Sequence, residues 1–141
     1  MATPMTIKQE KFCNLMKRYE DKIRIVPLPC PGLMAFVERG DLNGDDLREY
    51  LQKLLTPVMK EPVDGIVLGC THYPFVREMI QQVVGDKVTI YDGGSGTARE
   101  MRRRLQEKDL LNPKQERGQV RFYNSRDTEE ELALCRSLFE K

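Results

Sequence analysis

The sequence predicts an α/β fold, a mostly parallel sheet with helices on both faces. Strand-like runs alternate with amphipathic helical runs along the chain, a rhythm that implies right-handed crossovers between parallel strands. Three of the four strand-like runs close in proline or glycine, residues that release a chain from a sheet into a turn. With 141 residues, 40% hydrophobic and 32% charged, the chain has material for a real core and no compositional sign of a disordered tail.

The elements follow in order. Residues 22–29 (KIRIVPLP), 63–69 (VDGIVLG), 87–94 (KVTIYDGG) and 119–124 (QVRFYN) are the four strand candidates. Residues 45–60 repeat apolar side chains at helical spacing through Leu47, Tyr50, Leu51, Leu54 and Leu55, with Asp45 or a neighbour available as cap. Residues 74–84 open with Pro74, suited to a first helical turn. Residues 97–111 open with Thr97 as a candidate cap, and residues 129–141 form a closing helix. In parallel sheets ligands gather beyond the carboxyl ends of the strands. Cys30, Cys70 and Asp92 all stand at or just past such ends.

Composition excludes several partners. Lys plus Arg number 23 against 22 Asp plus Glu, so no whole-chain field steers the protein to nucleic acid or an anionic membrane. Arg102, Arg103 and Arg104 form the one basic run and read as a solvated helix face. No apolar run is long enough to cross a bilayer, and the amino-terminal residues lack the apolar core of a secretory signal; a cytoplasmic protein is expected. The four cysteines include no CxxC pair, and one histidine cannot complete a zinc-finger pattern, so reduced thiols and no metal are expected. Cys13, beside Phe12, Leu15 and Met16, and Cys135, beside Leu132, Leu134 and Leu138, read as small core residues. Cys30, between Pro29 and Pro31, reads as a packing or loop residue.

Residues 66–75, IVLGCTHYPF, set a short apolar run against a cysteine and the chain's single histidine. Gly69 permits a tight exit from the strand and Pro74 opens a helix, which leaves Cys70, Thr71 and His72 in a strand-to-helix turn. Unpaired amides and the positive end of the helix dipole favour a thiolate there, and a neighbouring imidazolium adds to the effect. The Thr71 hydroxyl and the same amides suit a substrate carboxylate. From these residues alone, a buried structural thiol and an ordinary polar histidine stand open beside the chemical reading.

The stretch LGCTHYP resembles the second active-site motif of the cofactor-independent glutamate racemases, within the aspartate/glutamate racemase superfamily. Other segments fall in the matching order. ATPMTI resembles the family's turn with two substrate-touching threonines three apart, at Thr3 and Thr6. LPCPGLMAFVERG resembles a strand followed by a short helix bearing an active-site glutamate, at Glu38. YDGGSGTAREMRRRL and FYNSRDTEEELALCRSLF resemble the family's next helix and its closing strand and helix. Lys8 and Gln9 depart from the family pattern, which often has serine two or three residues past the second threonine.

The resemblance covers nearly the whole chain but only the carboxyl-terminal half of the family's two-domain fold. It implies that residues 1–92 are a second catalytic domain with an incomplete first strand. Residues 93–141 would be a carboxyl-terminal strand and helices that pack on an absent first domain, with GGSG after Asp92 as the hinge. The implied activity is interconversion of L- and D-glutamate for peptidoglycan synthesis by thiol proton transfer, without cofactor. Catalytic roles fall to Cys70 and His72, substrate contact to Thr71, His72, Thr3 and Thr6, and support to Glu38 beside His72. The second thiol belongs to the absent half, so the implied partners are glutamate and either a second copy or a complementary first-half polypeptide. A noncatalytic binding domain that keeps the fold, and a thiol hydrolase built on Cys70 and His72, stay open as other readings.

Overall fold

The computed structural model describes residues 1–114, 116–126 and 128–140. It resolves into two compact units, Met1–Asp92 and Gly93–Lys141. The first unit is a helix-rich α/β structure around a parallel sheet. Strands β1 (Gly65–Val67) and β2 (Thr89–Tyr91) pair in parallel, with Ile66 opposite Ile90. Leu68 N–H extends the ladder to Tyr91 O at 2.8 Å. Ahead of β1 come α1 (Pro4–Ile7), α2 (Glu10–Lys17), α3 (Leu33–Glu38) and α4 (Asp45–Leu55); between β1 and β2 lies α5 (Arg77–Val84).

The amino-terminal residues complete the sheet. Gly69 N–H donates to Met1 O at 2.8 Å and the Met1 ammonium donates to Val67 O at 2.9 Å. On the other side Ala2 N–H donates to Leu28 O and Cys30 N–H to Ala2 O, both at 3.0 Å. The spatial order is therefore 28–30, 1–2, β1, β2. Gly69 makes this possible: a Cβ there would stand 3.1 Å from Met1 O and 3.3 Å from Ala2 Cβ. Gly69→Ala is expected to cost about 1–3 kcal/mol by overpacking, read as a lowered urea midpoint. Gly118→Ala, where an added Cβ meets nothing within 4 Å, is the control and should stay within about 0.5 kcal/mol.

The core lies between the sheet and the helices. Leu47, Leu51 and Leu55 project from one side of α4 and are buried, as are Leu33 and Val37 of α3 and Met79 and Ile80 of α5. Spacing of four residues places the α3 and α4 sets each on one helical stripe, and the buried residues of α5 are neighbours in sequence. Ile66, Leu68, Val88 and Ile90 supply the sheet's buried face, while Val67 and Tyr91 alternate outward and are exposed. Over the outward face the Tyr91 ring crosses Gly65, where an added Cβ would meet Cε2 at 2.9 Å.

Several sequence expectations are corrected. Residues 22–29 form no strand; they contribute one bridge, Ala2 to Pro29, because Pro27 and Pro29 have no N–H to extend a ladder. Residues 119–124 are not a strand either, and among the described residues the second unit offers no strand to pair with them. That unit contains α6 (Gly94–Glu107) and α7 (Glu129–Phe139). Helix α6 starts before Thr97, so Thr97 is not its cap and residues 94–96 are helical; glycine in a first turn costs only about 1 kcal/mol of backbone entropy. Cys13 is exposed, since α2 buries none of its residues, and Cys135 is half-buried. No helix among the described residues is long and apolar enough to cross a membrane.

Candidate functional site

The residues that follow the carboxyl ends of the parallel segments converge on one edge of the first unit. After β1 the chain leaves the sheet at Gly69, and Tyr73 N–H donates to Cys70 O at 3.2 Å, closing a turn around Thr71 and His72. A 3₁₀ segment, Tyr73–Val76, then leads into α5, with Pro74 at its start. Pro74 lacks an N–H and so loses nothing in that first turn.

Within the turn, Cys70 Sγ lies 3.8 Å from His72 Nδ1. The other ring nitrogen, Nε2, lies 3.7 Å from Oε1 of Glu38, the last residue of α3. Thiol, imidazole and carboxylate thus stand in series. The Glu38 carboxylate faces Nε2 while the thiol faces Nδ1, so the two groups address opposite sides of one ring. Cys70 is half-buried, the His72 side chain is 33% exposed and that of Glu38 58%, so the series opens outward to a ligand. Thr71 is exposed on the same turn.

The threonine pair sits on the neighbouring segment. Thr3 follows Ala2 directly, one strand away from the Cys70 turn, and caps α1: Thr6 N–H donates to Thr3 Oγ1 at 3.2 Å, and the two hydroxyls are 2.8 Å apart. Both hydroxyls are therefore committed partly to local structure. Among the described residues no hydrogen bond links them to Cys70 or His72. The residues expected from the sequence thus fall into two subsets, Cys70 with His72 and Glu38, and Thr3 with Thr6, on adjacent segments.

Three supporting residues were not singled out from the sequence. Arg77, the first residue of α5, donates to Asp92 Oδ2 and to Ile90 O, each at 2.7 Å, tying the helix that follows the Cys70 turn to the end of β2. Tyr73 is fully buried and donates to Cys30 O at 3.4 Å; Tyr50 donates to Pro31 O at 2.9 Å. The only sequence signal for Tyr73 was its place inside GCTHYP.

Burial pushes the Cys30 thiol up from its ordinary value, opposed by the nearby Met1 ammonium. Burial first, and then the Cys30 charge, push the Tyr50 phenol up to about 12 and Tyr73 still higher. The unfolded chain releases these protons from about pH 9 to 10, earlier than the folded protein. Folded stability is therefore complete below that range and falls as pH rises through it. The urea midpoint is expected to drop between pH 8 and pH 11, and the drop should shrink in Tyr50→Phe.

The sequence and the fold match one class of protein. Over 98% of this chain the fold superposes on 52% of a glutamate racemase from Francisella tularensis solved in complex with D-glutamate, with TM-score 0.81 at 21% identity. An Escherichia coli glutamate racemase, solved with L-glutamate and the activator UDP-MurNAc-ala, matches 74% of this chain and 40% of its own at 30% identity and TM-score 0.67. In sequence the agreement is closer: a Clostridium perfringens glutamate racemase is 47% identical over 140 residues, 99% of this chain and 54% of the relative. A Clostridium botulinum glutamate racemase is 44% identical over the same shares. No protein-family model matches. The chain is glutamate racemase-like in sequence and fold, spans about half the length of the curated relatives it matches, and corresponds to their carboxyl-terminal half.

Proposed function

We propose that this chain supplies one face of a cofactor-independent glutamate racemase, with Cys70 as the thiol that moves the α-proton. The Cys70, His72 and Glu38 series at the end of β1, in a chain 47% identical to a glutamate racemase, is the observation that carries the reading. The Cys70 thiolate takes the α-hydrogen of glutamate as a proton: the C–H bond breaks, its electron pair delocalises toward the substrate carboxylate, and the proton ends on Sγ. His72 orients the thiol and stabilises the charged states on either side of the transfer, and Glu38 holds the imidazole. Thr71 and the amides of its turn bind one carboxylate; Thr3 and Thr6, one segment away, bind another polar group of the substrate.

Inversion needs a proton donor on the opposite face of the carbanion. Cys30 is buried, and no hydrogen bond among the described residues brings Cys13 of α2 to the Cys70 turn, so neither is assigned that role. The second thiol comes from a complementary polypeptide equivalent to the amino-terminal half of the relatives, or from a second copy of this chain. The product, D-glutamate, serves peptidoglycan synthesis in the cytoplasm.

The test follows solvent deuterium at the α-carbon of L- and D-glutamate. The purified chain is assayed alone and after mixing with the amino-terminal half of the Clostridium perfringens relative. Exchange without net inversion is expected at most from the chain alone, and exchange with inversion from the mixture. A folded, associated mixture that incorporates no deuterium from either enantiomer overturns the proposal.

A further inference from the structure

We infer that Tyr73 is a positioning residue that holds His72 against Glu38, with Tyr50 in a secondary share of the same task. The inference rests on reading His72 as the imidazole of the site.

His72 and Glu38 belong to segments 34 residues apart in the chain, and no sheet hydrogen bond joins the Cys70 turn directly to α3. Helix α3 packs on the Tyr73–Val76 segment, and two tyrosines add side-chain hydrogen bonds to that contact. Tyr73 is contiguous with His72, its side chain is fully buried, and its hydroxyl donates to the Cys30 carbonyl, which also receives Leu33 N–H at 3.4 Å. Tyr50 of α4 donates to the next carbonyl, Pro31 O. Cys30 and Pro31 lead through Gly32, left-handed at φ 84°, into α3. That helix is six residues long and ends in Glu38, so whatever fixes its start fixes the carboxylate. The Phe36 ring, two residues before Glu38, packs on Tyr50 at 5.4 Å between centroids, and Arg39 lies over Phe36 at 4.0 Å.

Both phenols are held above their ordinary range by burial, so both hydroxyls remain donors wherever the fold is intact. A phenylalanine at 73 keeps the buried ring and removes only the bond to Cys30 O. The turn and α3 then keep their packing but lose that bond and can shift slightly, and the contact of His72 Nε2 with Glu38 Oε1 at 3.7 Å weakens with any such shift.

His72 is the chain's one histidine, so its imidazole ¹⁵N resonances are unambiguous in a selectively labelled sample. Spectra of the parent, Glu38→Gln and Tyr73→Phe are compared at one fixed alkaline pH. Glu38→Gln is expected to shift the Nε2 resonance, and Tyr73→Phe to shift it in the same direction by a smaller amount. A Tyr73→Phe protein with the parent's resonance, beside a shifted Glu38→Gln, overturns the inference; so does a Glu38→Gln that shifts nothing. If Tyr73→Phe does not fold, Tyr50→Phe carries the same comparison with the same two readings. The measurement needs no turnover, so a racemase assay that fails beside a shifted resonance removes the catalytic proposal and leaves the positioning role in place.

Discussion

Cys70→Ser, assayed with the complementary half present, is expected to lower α-deuterium incorporation into glutamate by about 10²–10⁴-fold, the range a positioned proton-transfer group contributes. The exchange replaces sulfur by a smaller, far less acidic oxygen in a half-buried turn, so the fold should survive while the base is lost. The backbone around position 70 is anchored independently of the side chain, by Gly69 N–H to Met1 O and Tyr73 N–H to Cys70 O. His72→Asn tests the neighbour. It keeps a polar group but cannot carry charge, and should lower exchange by less than Cys70→Ser because the thiol remains. Unchanged circular dichroism with unchanged exchange in Cys70→Ser would mean that position 70 does not carry the proton.

What the sequence could and could not show divides along physical lines. The strand at 65–67 was legible because Ile66 and Val67 are β-branched and Gly69 and Pro74 bound the run. Helix α4 was legible because Leu47, Leu51 and Leu55 repeat every four residues, and all three are buried. Residues 22–29 carry the same β-rich composition, yet their prolines restrict pairing to a single bridge, a limit set by missing donors and not by hydropathy. Cys13 looked like a core thiol on an amphipathic helix, but a stripe shows only which side is apolar, and nothing in it says whether another element packs there. Within the site, the closeness of Cys70 and His72 is local and follows from one turn. The meeting of His72 with Glu38 is long-range: spacing could not supply it, and it was expected only through resemblance to the racemases. The hydroxyl contacts of Tyr50 and Tyr73 with successive carbonyls depend on how three segments pack, and had no sequence signature at all.

Leu51→Ala is expected to remove about 2–5 kcal/mol of stability, the cost of a large-to-small change at a site that cannot collapse. Leu51 is completely buried, on the same stripe as Leu47 and Leu55, and α4 packs directly on α5. Domains of this size are stable by about 5–15 kcal/mol, so a single cavity here consumes a large part of the margin. Leu54 provides the internal comparison. It lies three residues further along the same helix but is only half-buried, and Leu54→Ala should cost roughly half as much or less, in proportion to the area withdrawn from water. The consequence reaches the site because α5 begins at Arg77, whose guanidinium grips Asp92 and Ile90 O, and the Cys70 turn runs straight into that helix. Loosening α4 against α5 should therefore raise amide hydrogen exchange in residues 70–77 as well as lower the urea midpoint. Equal losses for Leu51→Ala and Leu54→Ala, with no change in exchange over residues 70–77, would show that the α4 and α5 contact does not support the turn that carries Cys70.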